Sequence, residues 1–258
     1  ARSNTARMGD FDYDAGGHTY TSHRQPDPHI AAMIVERLGD ARTVVNVGAG
    51  AGSYEPNDRY VVAVEPSRVM RAQRPPEAAP AIIANAQTLP FDDNAFDAAM
   101  AIATIHQWGE GSTAGLHELR RVASGPIVIM TFDDTVLRDF WITDYVPEFL
   151  LAERSRLQPI EWVCEQLGGR CTVDVVPIPI DCTDGFMEAF YARPEMFLDE
   201  SVRRAQSAWG FVGPGVEERF DTQLRADLAS GAWDRRYGYL REQATFNGTP
   251  RIITALPG

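Results

Sequence analysis

Short apolar runs rich in β-branched residues recur along the chain, and segments with helical spacing of apolar residues separate them. The runs Thr43 to Val47 and Tyr60 to Val64 have the nearly continuous apolar character of strands buried on both faces. Amphipathic segments accompany these runs, such as His29 to Leu38, which precedes the first run, follows a proline and ends at a glycine. Strands are predicted at 43–47, 60–64, 81–84, 96–103, 126–132, 171–178 and 251–256, and helices at 29–38, 67–73, 112–123 and 160–167. This alternation predicts an α/β fold around a mostly parallel sheet.

The second half of the chain has more helical than strand character. Residues 134–157 carry aromatic residues mostly at helical spacing, and three further helical segments lie between the last two predicted strands, at 183–191, 199–209 and 216–229. We assign most of the aromatic residues here to a small core of the region itself. The remaining few are candidates to line a largely apolar substrate pocket.

Glycines follow the first strand directly, at positions 48, 50 and 52, and the second strand ends on Glu65. Glycine lets the backbone turn sharply and approach a ligand closely. A carboxylate at the end of the next strand can accept hydrogen bonds from both hydroxyls of a ribose. The stretch 43–65 therefore predicts a nucleoside-binding βαβ unit.

The spacing G-x-G-x-G, with Glu65 seventeen residues after Gly48, resembles motif I of the class I S-adenosylmethionine (SAM) methyltransferases. A dinucleotide fingerprint would need a third glycine at position 53, where Ser53 stands. The segment Asn85 to Asp97, N-A-Q-T-L-P-F-D-D-N-A-F-D, closely resembles the family's G-D-A-x-x-L-P-F-x-D-x-x-F-D stretch. The segment Thr104 to Trp108 is similar to the family's H-x-W sequence after the fourth strand.

The resemblance covers about residues 20 to 132 and implies an architecture. It implies a doubly wound, mostly parallel seven-stranded sheet with helices on both faces and an antiparallel last strand. Because some seventy residues separate the last two predicted strands, we expect a helical lid inserted before the final strand. The expected domains are an N-terminal arm over the cofactor site at 1–28, a SAM-binding core at 29–178 and 250–258, and a lid that binds substrate at 179–249.

The resemblance also implies SAM as the cofactor and a set of binding residues. Asn85 and the backbone of Ala86 are expected at the adenine, and Asn46 stands where the family usually has an aspartate that holds the methionine amine. Tyr20 and Arg24 belong to a Y-x-x-x-R-x-x-x-P segment that folds over the cofactor in the family, where the arginine can meet the methionine carboxylate; the other interpretation is a surface arm. The predicted cofactor-binding residues are Tyr20, Arg24, Asn46, Gly48, Gly50, Glu65, Asn85, Ala86 and Ala103.

His106 is the candidate catalytic residue, because it follows the fourth strand at the edge where this fold binds ligands. With an ordinary pKa it could act as the base that takes a proton from the nucleophile. Alternatively, it only shapes the pocket or hydrogen-bonds the acceptor. The nearby His18, His23 and His29 have no second cluster of ligands, and we therefore expect no metal.

Charge and cysteine content restrict the partners. The formal net charge of −12 argues against nucleic acid or an anionic membrane as a partner, and the absence of lysine excludes a catalytic lysine. The three cysteines form no C-x-x-C pair, and we expect reduced thiols in a cytoplasmic protein.

The predicted function is methyl transfer from SAM to the O, N or C atom of a small-molecule acceptor, by a monomer or homodimer. Two alternatives remain open from the sequence. One is a non-catalytic SAM-binding or scaffold protein of the same fold. The other is a nicotinamide-dependent oxidoreductase, which Ser53 and the 85–97 match oppose.

Overall fold

A seven-stranded sheet forms the centre of the computed structural model, which describes residues 23–258. The predictions for Tyr20 and for the arm before residue 23 therefore lie outside the described residues. In chain order the strands are β1 (Thr43–Val47), β2 (Tyr60–Val64), β3 (Ala81–Ile82), β4 (Ala98–Ile102), β5 (Ile127–Phe132), β6 (Arg170–Val175), β7 (Ile178–Pro179), β8 (Thr245–Phe246) and β9 (Pro250–Leu256). The large sheet has the order β3-β2-β1-β4-β5-β9-β6, while β7 and β8 form a separate two-stranded pair.

The sheet confirms the predicted fold class. The pairs β1–β2, β1–β4, β2–β3 and β4–β5 are parallel, and β9 is antiparallel to both β5 and β6. The order of the strands reverses at β1: β2 and then β3 lie on one side of it, and β4 and then β5 lie on the other. Ligands in such sheets bind beyond the carboxyl ends of the strands at this switch point.

Nine α-helices accompany the strands within residues 23–258. They are α1 (Pro28–Leu38), α2 (Arg68–Ala72), α3 (Ser112–Val122), α4 (Ile142–Tyr145), α5 (Glu148–Arg156), α6 (Ile160–Leu167), α7 (Glu200–Arg204), α8 (Val216–Ser230) and α9 (Ala232–Tyr237). Local signals explain the ends: Asp27 accepts hydrogen bonds from the first backbone N–H groups of α1, and Ser67 caps α2 in the same way. The long helix α8 ends at Gly231, in the left-handed conformation common after helices.

Two buried clusters lie on the two faces of the sheet. One contains Val45, Ala99 and Ile129 together with residues of α3 and α6. The other contains Val44, Met100 and Val128 together with α1 and the aromatic residues of the helical second half. Those aromatic residues therefore share a continuous core with the sheet, and the expectation of a small separate core for them is wrong.

The chain between β7 and β8 is helical, as the spacing predicted, although much of it forms short 3₁₀ turns. Regular helix is present at α7, α8 and α9, while Met187–Phe190, Pro194–Leu198 and Ser207–Phe211 are 3₁₀ segments. Trp141 packs edge-on against Trp233 and Phe197, with ring centroids 5.5 Å and 5.7 Å apart. That this segment acts as a lid stays a prediction.

Cys164 and Cys171 form a disulfide, so the expectation of three reduced thiols is wrong for this pair. Cys164 lies near the end of α6 and Cys171 near the start of β6, and the turn at Gly168 and Gly169 brings their Cα atoms to 5.8 Å. Cys182 is free and buried. The cytoplasmic location stays a prediction.

No helix of residues 23–258 is long and apolar enough to cross a membrane. Within the same residues, no group of three or more His, Cys, Asp and Glu side chains is arranged to hold a metal ion.

The shared core predicts that the helical second half unfolds together with the sheet. Trp233 is fully buried, so Trp233→Ala should lower the free energy of unfolding by about 3–5 kcal/mol. Urea denaturation followed by circular dichroism should show a single transition for the wild type and the variant. Tyr239→Ala, at a side chain that is 61% exposed, is the control and should change stability by less than about 0.5 kcal/mol. Two separate transitions would mean that the helical region has a core of its own.

Candidate active site

A cavity of about 750 Å³ lies beyond the carboxyl ends of β1, β2 and β4. Seven of the nine predicted cofactor-binding residues line it: Asn46, Gly48, Gly50, Glu65, Asn85, Ala86 and Ala103. Arg24 lines a different cavity, and Tyr20 lies outside the described residues. The topology thus brings together side chains that are up to 57 positions apart in sequence, from Asn46 to Ala103.

The glycine turn after β1 requires glycine at its first position. Gly48 has a φ of +71°, and a Cβ atom added there would lie 2.2 Å from the Oγ1 atom of Thr104. The backbone N–H groups of Gly48 and Ala49 both donate to the carbonyl of Val64, at 2.9 Å. The turn is therefore held against the ends of both β2 and β4.

Glu65 lines the cavity from the end of β2, where it is 7% exposed. Its two carboxylate oxygens accept from the backbone N–H groups of Gly50 and Ser67, each at 2.8 Å. Burial raises the pKa of Glu65, and the two N–H groups and nearby arginines oppose that rise. Each carboxylate oxygen can accept more than one hydrogen bond, so Glu65 can still accept from the hydroxyls of a ribose.

Asn46 fits a ligand amine although it lacks the charge of an aspartate. Its Nδ2 donates to Oε1 of Glu55 at 3.0 Å, while its buried Oδ1 has no hydrogen-bond partner among residues 23–258. Glu55 in turn pairs with Arg74 at 2.7 Å. An aspartate at position 46 would lie against the carboxylate of Glu55, and the two negative charges would repel each other. The amide of Asn46 instead donates a hydrogen bond to that carboxylate. Sequence reasoning missed Glu55, which is in an irregular stretch with no motif.

The opposite side of the cavity comes from the loop after β3 and from the segment after β4. Asn85 and Ala86 are there, as the resemblance implied. Several other lining residues were not predicted as cofactor contacts, namely Ser67, Met70, Gln87, Thr104, Gln107, Trp108 and Glu110. Their positions within the matched segments, or close to predicted strand ends and these segments, are the signal that could have indicated them.

Ala103 lines both this cavity and a second, smaller one. It follows β4 with a φ of +51°, a left-handed conformation that residues other than glycine rarely adopt, and its N–H donates to the carbonyl of Met130 at 2.8 Å. Unfavourable backbone conformations of this kind cluster at functional sites. The second cavity has about 70 Å³ of free space and is lined by Arg24, Ala103, His106, Phe132, Leu137, Glu153, Arg156, Leu157, Phe186, Met187, Glu188, Gln206, Ser207, Ala208 and Thr249.

His106 lies in the wall of the second cavity and is 6% exposed. Its ring meets Phe132 edge-on at 6.0 Å, and its Nδ1 has no hydrogen-bond partner in the described part of the chain. Burial, together with the positive charges of Arg156 and Arg24, lowers the pKa of His106 to about 3. The imidazole is therefore neutral across the ordinary pH range, and the expectation of an ordinary histidine pKa is wrong.

Arg24 contacts a carboxylate of the helical region. Its Nε donates to Oδ1 of Asp184 at 2.6 Å, and the hydroxyl of Tyr54 donates to the other oxygen at 2.9 Å. Because Tyr54 belongs to the glycine turn, this cluster joins the N-terminal segment, the cofactor-side turn and the helical region. The role predicted for Arg24 at a methionine carboxylate stays a prediction, and the ion pair with Asp184 competes with it.

Comparison with known proteins agrees with this geometry. Residues 45–126 match a family described as a methyltransferase domain. No curated protein matches the chain. The chain is similar to the crystal structure of a candidate methyltransferase from an antibiotic biosynthesis pathway of Anabaena variabilis, with 29% sequence identity and a TM-score of 0.82. That match covers 90% of this chain and 98% of that one.

Two more distant structures share the fold. A SAM-dependent methyltransferase of Thermotoga maritima, named as a possible histamine N-methyltransferase, is 13% identical with a TM-score of 0.55, over 95% of this chain and 98% of that one. A phosphoethanolamine N-methyltransferase of Haemonchus contortus, solved with phosphomonomethylethanolamine and S-adenosylhomocysteine, is 14% identical with a TM-score of 0.53, over 95% of this chain and 57% of that one.

The glycine turn, Glu65 and the loop after β3 surround one cavity at the switch point of the sheet, and the matched methyltransferase domain spans these same elements. The unpartnered Oδ1 of Asn46 and the free acceptor capacity of Glu65 fit a nucleoside that carries an amino acid, which is what SAM is. Residues 45–126 therefore belong to the methyltransferase-domain family, within a chain that has the class I, Rossmann-like fold of SAM-dependent methyltransferases.

Proposed function

We propose that this enzyme transfers the methyl group of SAM to a small-molecule acceptor bound in the second cavity. The position of Ala103 supports this proposal. Ala103 lines both cavities, so a cofactor in one and an acceptor in the other can meet there. Holding two reactants in contact supplies much of the rate enhancement in displacement reactions.

The residues of the larger cavity have distinct tasks in this proposal. Glu65 accepts from the ribose, Asn46 from the amino group of the methionine part, and Asn85 with the Ala86 backbone binds the adenine. SAM supplies a methyl group already activated by its sulfonium. The protein then has to orient the acceptor and exclude water from the junction.

A small acceptor agrees with the dimensions and lining of the second cavity. The free space of about 70 Å³ is roughly a tenth of that in the larger cavity. A larger acceptor requires its wall to move, and residues 186–188 and 206–208 of the helical region form part of that wall. This supports the lid role proposed for residues 179–249. The antibiotic pathway of the Anabaena protein supports a role in secondary metabolism.

We assign His106 a positioning role toward the acceptor. Its depressed pKa makes it a weak base, but a neutral imidazole can accept a hydrogen bond from a hydroxyl or amine. An acceptor that donates to the ring would satisfy a buried nitrogen that has no partner among residues 23–258.

The first test concerns Glu65. Replacing Glu65 by alanine removes the acceptors of two hydrogen bonds to the ribose, each worth roughly 1.5–3 kcal/mol. Glu65→Ala should therefore weaken SAM binding at least about tenfold, measured by isothermal titration calorimetry on the folded variant. Glu77→Ala, at an exposed position after α2, is the matched control and should bind SAM like the wild type. Equal affinities for all three proteins would remove Glu65 from the cofactor site.

The second test concerns His106. Because the pKa of His106 is lowered to about 3, the ring is already deprotonated above that pH and gives no rise in activity through pH 6.5. His106→Asn should raise KM for the acceptor while leaving SAM affinity unchanged, and the pH profile of kcat should keep its shape. Steady-state kinetics between pH 5 and 9 would check this. A drop in kcat of roughly 10²-fold or more, with loss of an ascending limb, would instead establish His106 as the base.

A further inference from the structure

Glu188 is a buried carboxylate in the wall of the second cavity. It is 2% exposed, and it belongs to the 3₁₀ segment Met187–Phe190. Both of its carboxylate oxygens accept from the backbone N–H of Thr249 at 3.0 Å, and Oε2 also accepts from the Thr249 hydroxyl. Gly248 has no side chain, which leaves room for the carboxylate, since a Cβ there would lie 2.2 Å from Oε1.

No arginine or histidine of residues 23–258 forms an ion pair with Glu188. Arg24 pairs with Asp184 at 2.6 Å, and Arg156 pairs with Glu153 at 2.5 Å. Arg251 is nearby, but its guanidinium binds Asp133 at 3.1 Å and two backbone carbonyls. After these pairings Glu188 is the carboxylate of the cavity wall that has no ion-pair partner among residues 23–258.

A buried carboxylate without a counter-ion is unfavourable. Burial raises the pKa of Glu188 to about 7, and the negative charge of Glu153 adds to the rise; the Thr249 donors and Arg251 oppose it. The other titratable or charged groups of the cavity wall are His106, Arg24 and Arg156. A cationic ligand would supply the missing partner and convert an unfavourable group into a binding group.

We propose that Glu188 is the specificity-determining residue of the acceptor cavity and that the acceptor carries a protonated amine that pairs with it. This inference rests on the proposed function, because it concerns the acceptor in the same second cavity. The apolar part of the wall, including Phe132, Leu137 and Phe186, would contact the hydrocarbon portion of such an amine. A small amine with an apolar body is thus the acceptor class that fits, and the methylated atom is one other than the ammonium nitrogen paired with Glu188, because a protonated nitrogen has no lone pair to attack the methyl group.

The competing explanation is purely structural: the carboxylate ties the 187–190 turn to Thr249 and contacts no ligand. Both explanations accommodate the hydrogen bonds to Thr249. They differ in their prediction for binding, because only the first makes affinity depend on the charge of the ligand.

The test compares ammonium probes with neutral probes of the same shape. Binding is measured by NMR titration of the full chain, saturated with S-adenosylhomocysteine at pH 8. The probe n-butylammonium is compared with 1-butanol, and 2-phenylethylammonium is compared with 2-phenylethanol. We expect each ammonium to bind the wild type at least about tenfold more tightly than its alcohol. Glu188→Gln, whose amide oxygen can still accept from Thr249, should abolish that preference.

Controls separate this inference from the proposed function. Glu161→Gln, at an exposed position on α6, should keep the wild-type preference. Affinity for S-adenosylhomocysteine should be the same in all three proteins, which also shows that Glu188→Gln is folded. If the cofactor product binds but ammonium and alcohol have equal affinities for the wild type, or if the preference survives in Glu188→Gln, the inference is wrong. If the product itself does not bind, the proposed function fails first.

The pH dependence gives a second readout. Glu188 is charged above its pKa, so affinity for the ammonium probes should rise as pH increases through about 7, while the probes themselves stay protonated. The rise should be absent for the alcohols and for Glu188→Gln. An ammonium affinity that stays flat from pH 6 to 8.5 would contradict the assignment.

Discussion

The close approach of Gly48 to Thr104 is the constraint on which the rest of the site depends. With no side chain at Gly48, the turn after β1 can lie directly against the residue that follows the end of β4. Any Cβ would lie against the side chain of Thr104, between the ends of β1 and β4, where the sheet order reverses. The turn that lines the larger cavity therefore depends on one backbone position without a side chain, and Ala103, next to Thr104, lies where the two cavities meet.

The two cavities differ in how their charges are balanced. Around the larger one, Glu65 accepts from two backbone N–H groups that oppose the effect of burial on its pKa, and Glu55 is paired with Arg74. In the smaller one, His106 is held neutral and Glu188 has no cationic contact within residues 23–258. Groups held in unfavourable environments concentrate at functional sites. This contrast is expected of an enzyme whose cofactor site is preorganised and whose acceptor site gains a partner for its buried carboxylate only when the acceptor binds.

Local sequence signals predicted the cofactor half of the molecule well. The strand at 43–47, the helix beginning after Asp27, and the loop at Asn85 and Ala86 all lie where the pattern of apolar residues and the family motifs put them. These features depend on residues close together in sequence, so backbone preferences and spacing suffice to identify them.

The properties of the second cavity and the helical region could not be predicted in this way, because they arise from contacts between residues that are far apart in the sequence. Arg24 meets Asp184 across 160 positions, and Glu188 meets Thr249 across 61. Nothing in the motif around His106 signals that burial and two distant arginines lower its pKa. Likewise, the aromatic residues of the helical region looked like a separate core because their packing against the sheet is not visible in their spacing.

The central claim is that a SAM-derived ligand and a small acceptor meet at Ala103. A crystal structure of the protein with S-adenosylhomocysteine tests it most directly, because the position of the ligand's sulfur marks where the methyl group would leave. The account predicts ribose hydroxyls on the Glu65 carboxylate, the amino group on Asn46 Oδ1, and the sulfur at Ala103 facing the cavity lined by His106 and Glu188. A ligand bound away from Glu65, or a sulfur separated from the second cavity by closed protein, would contradict it.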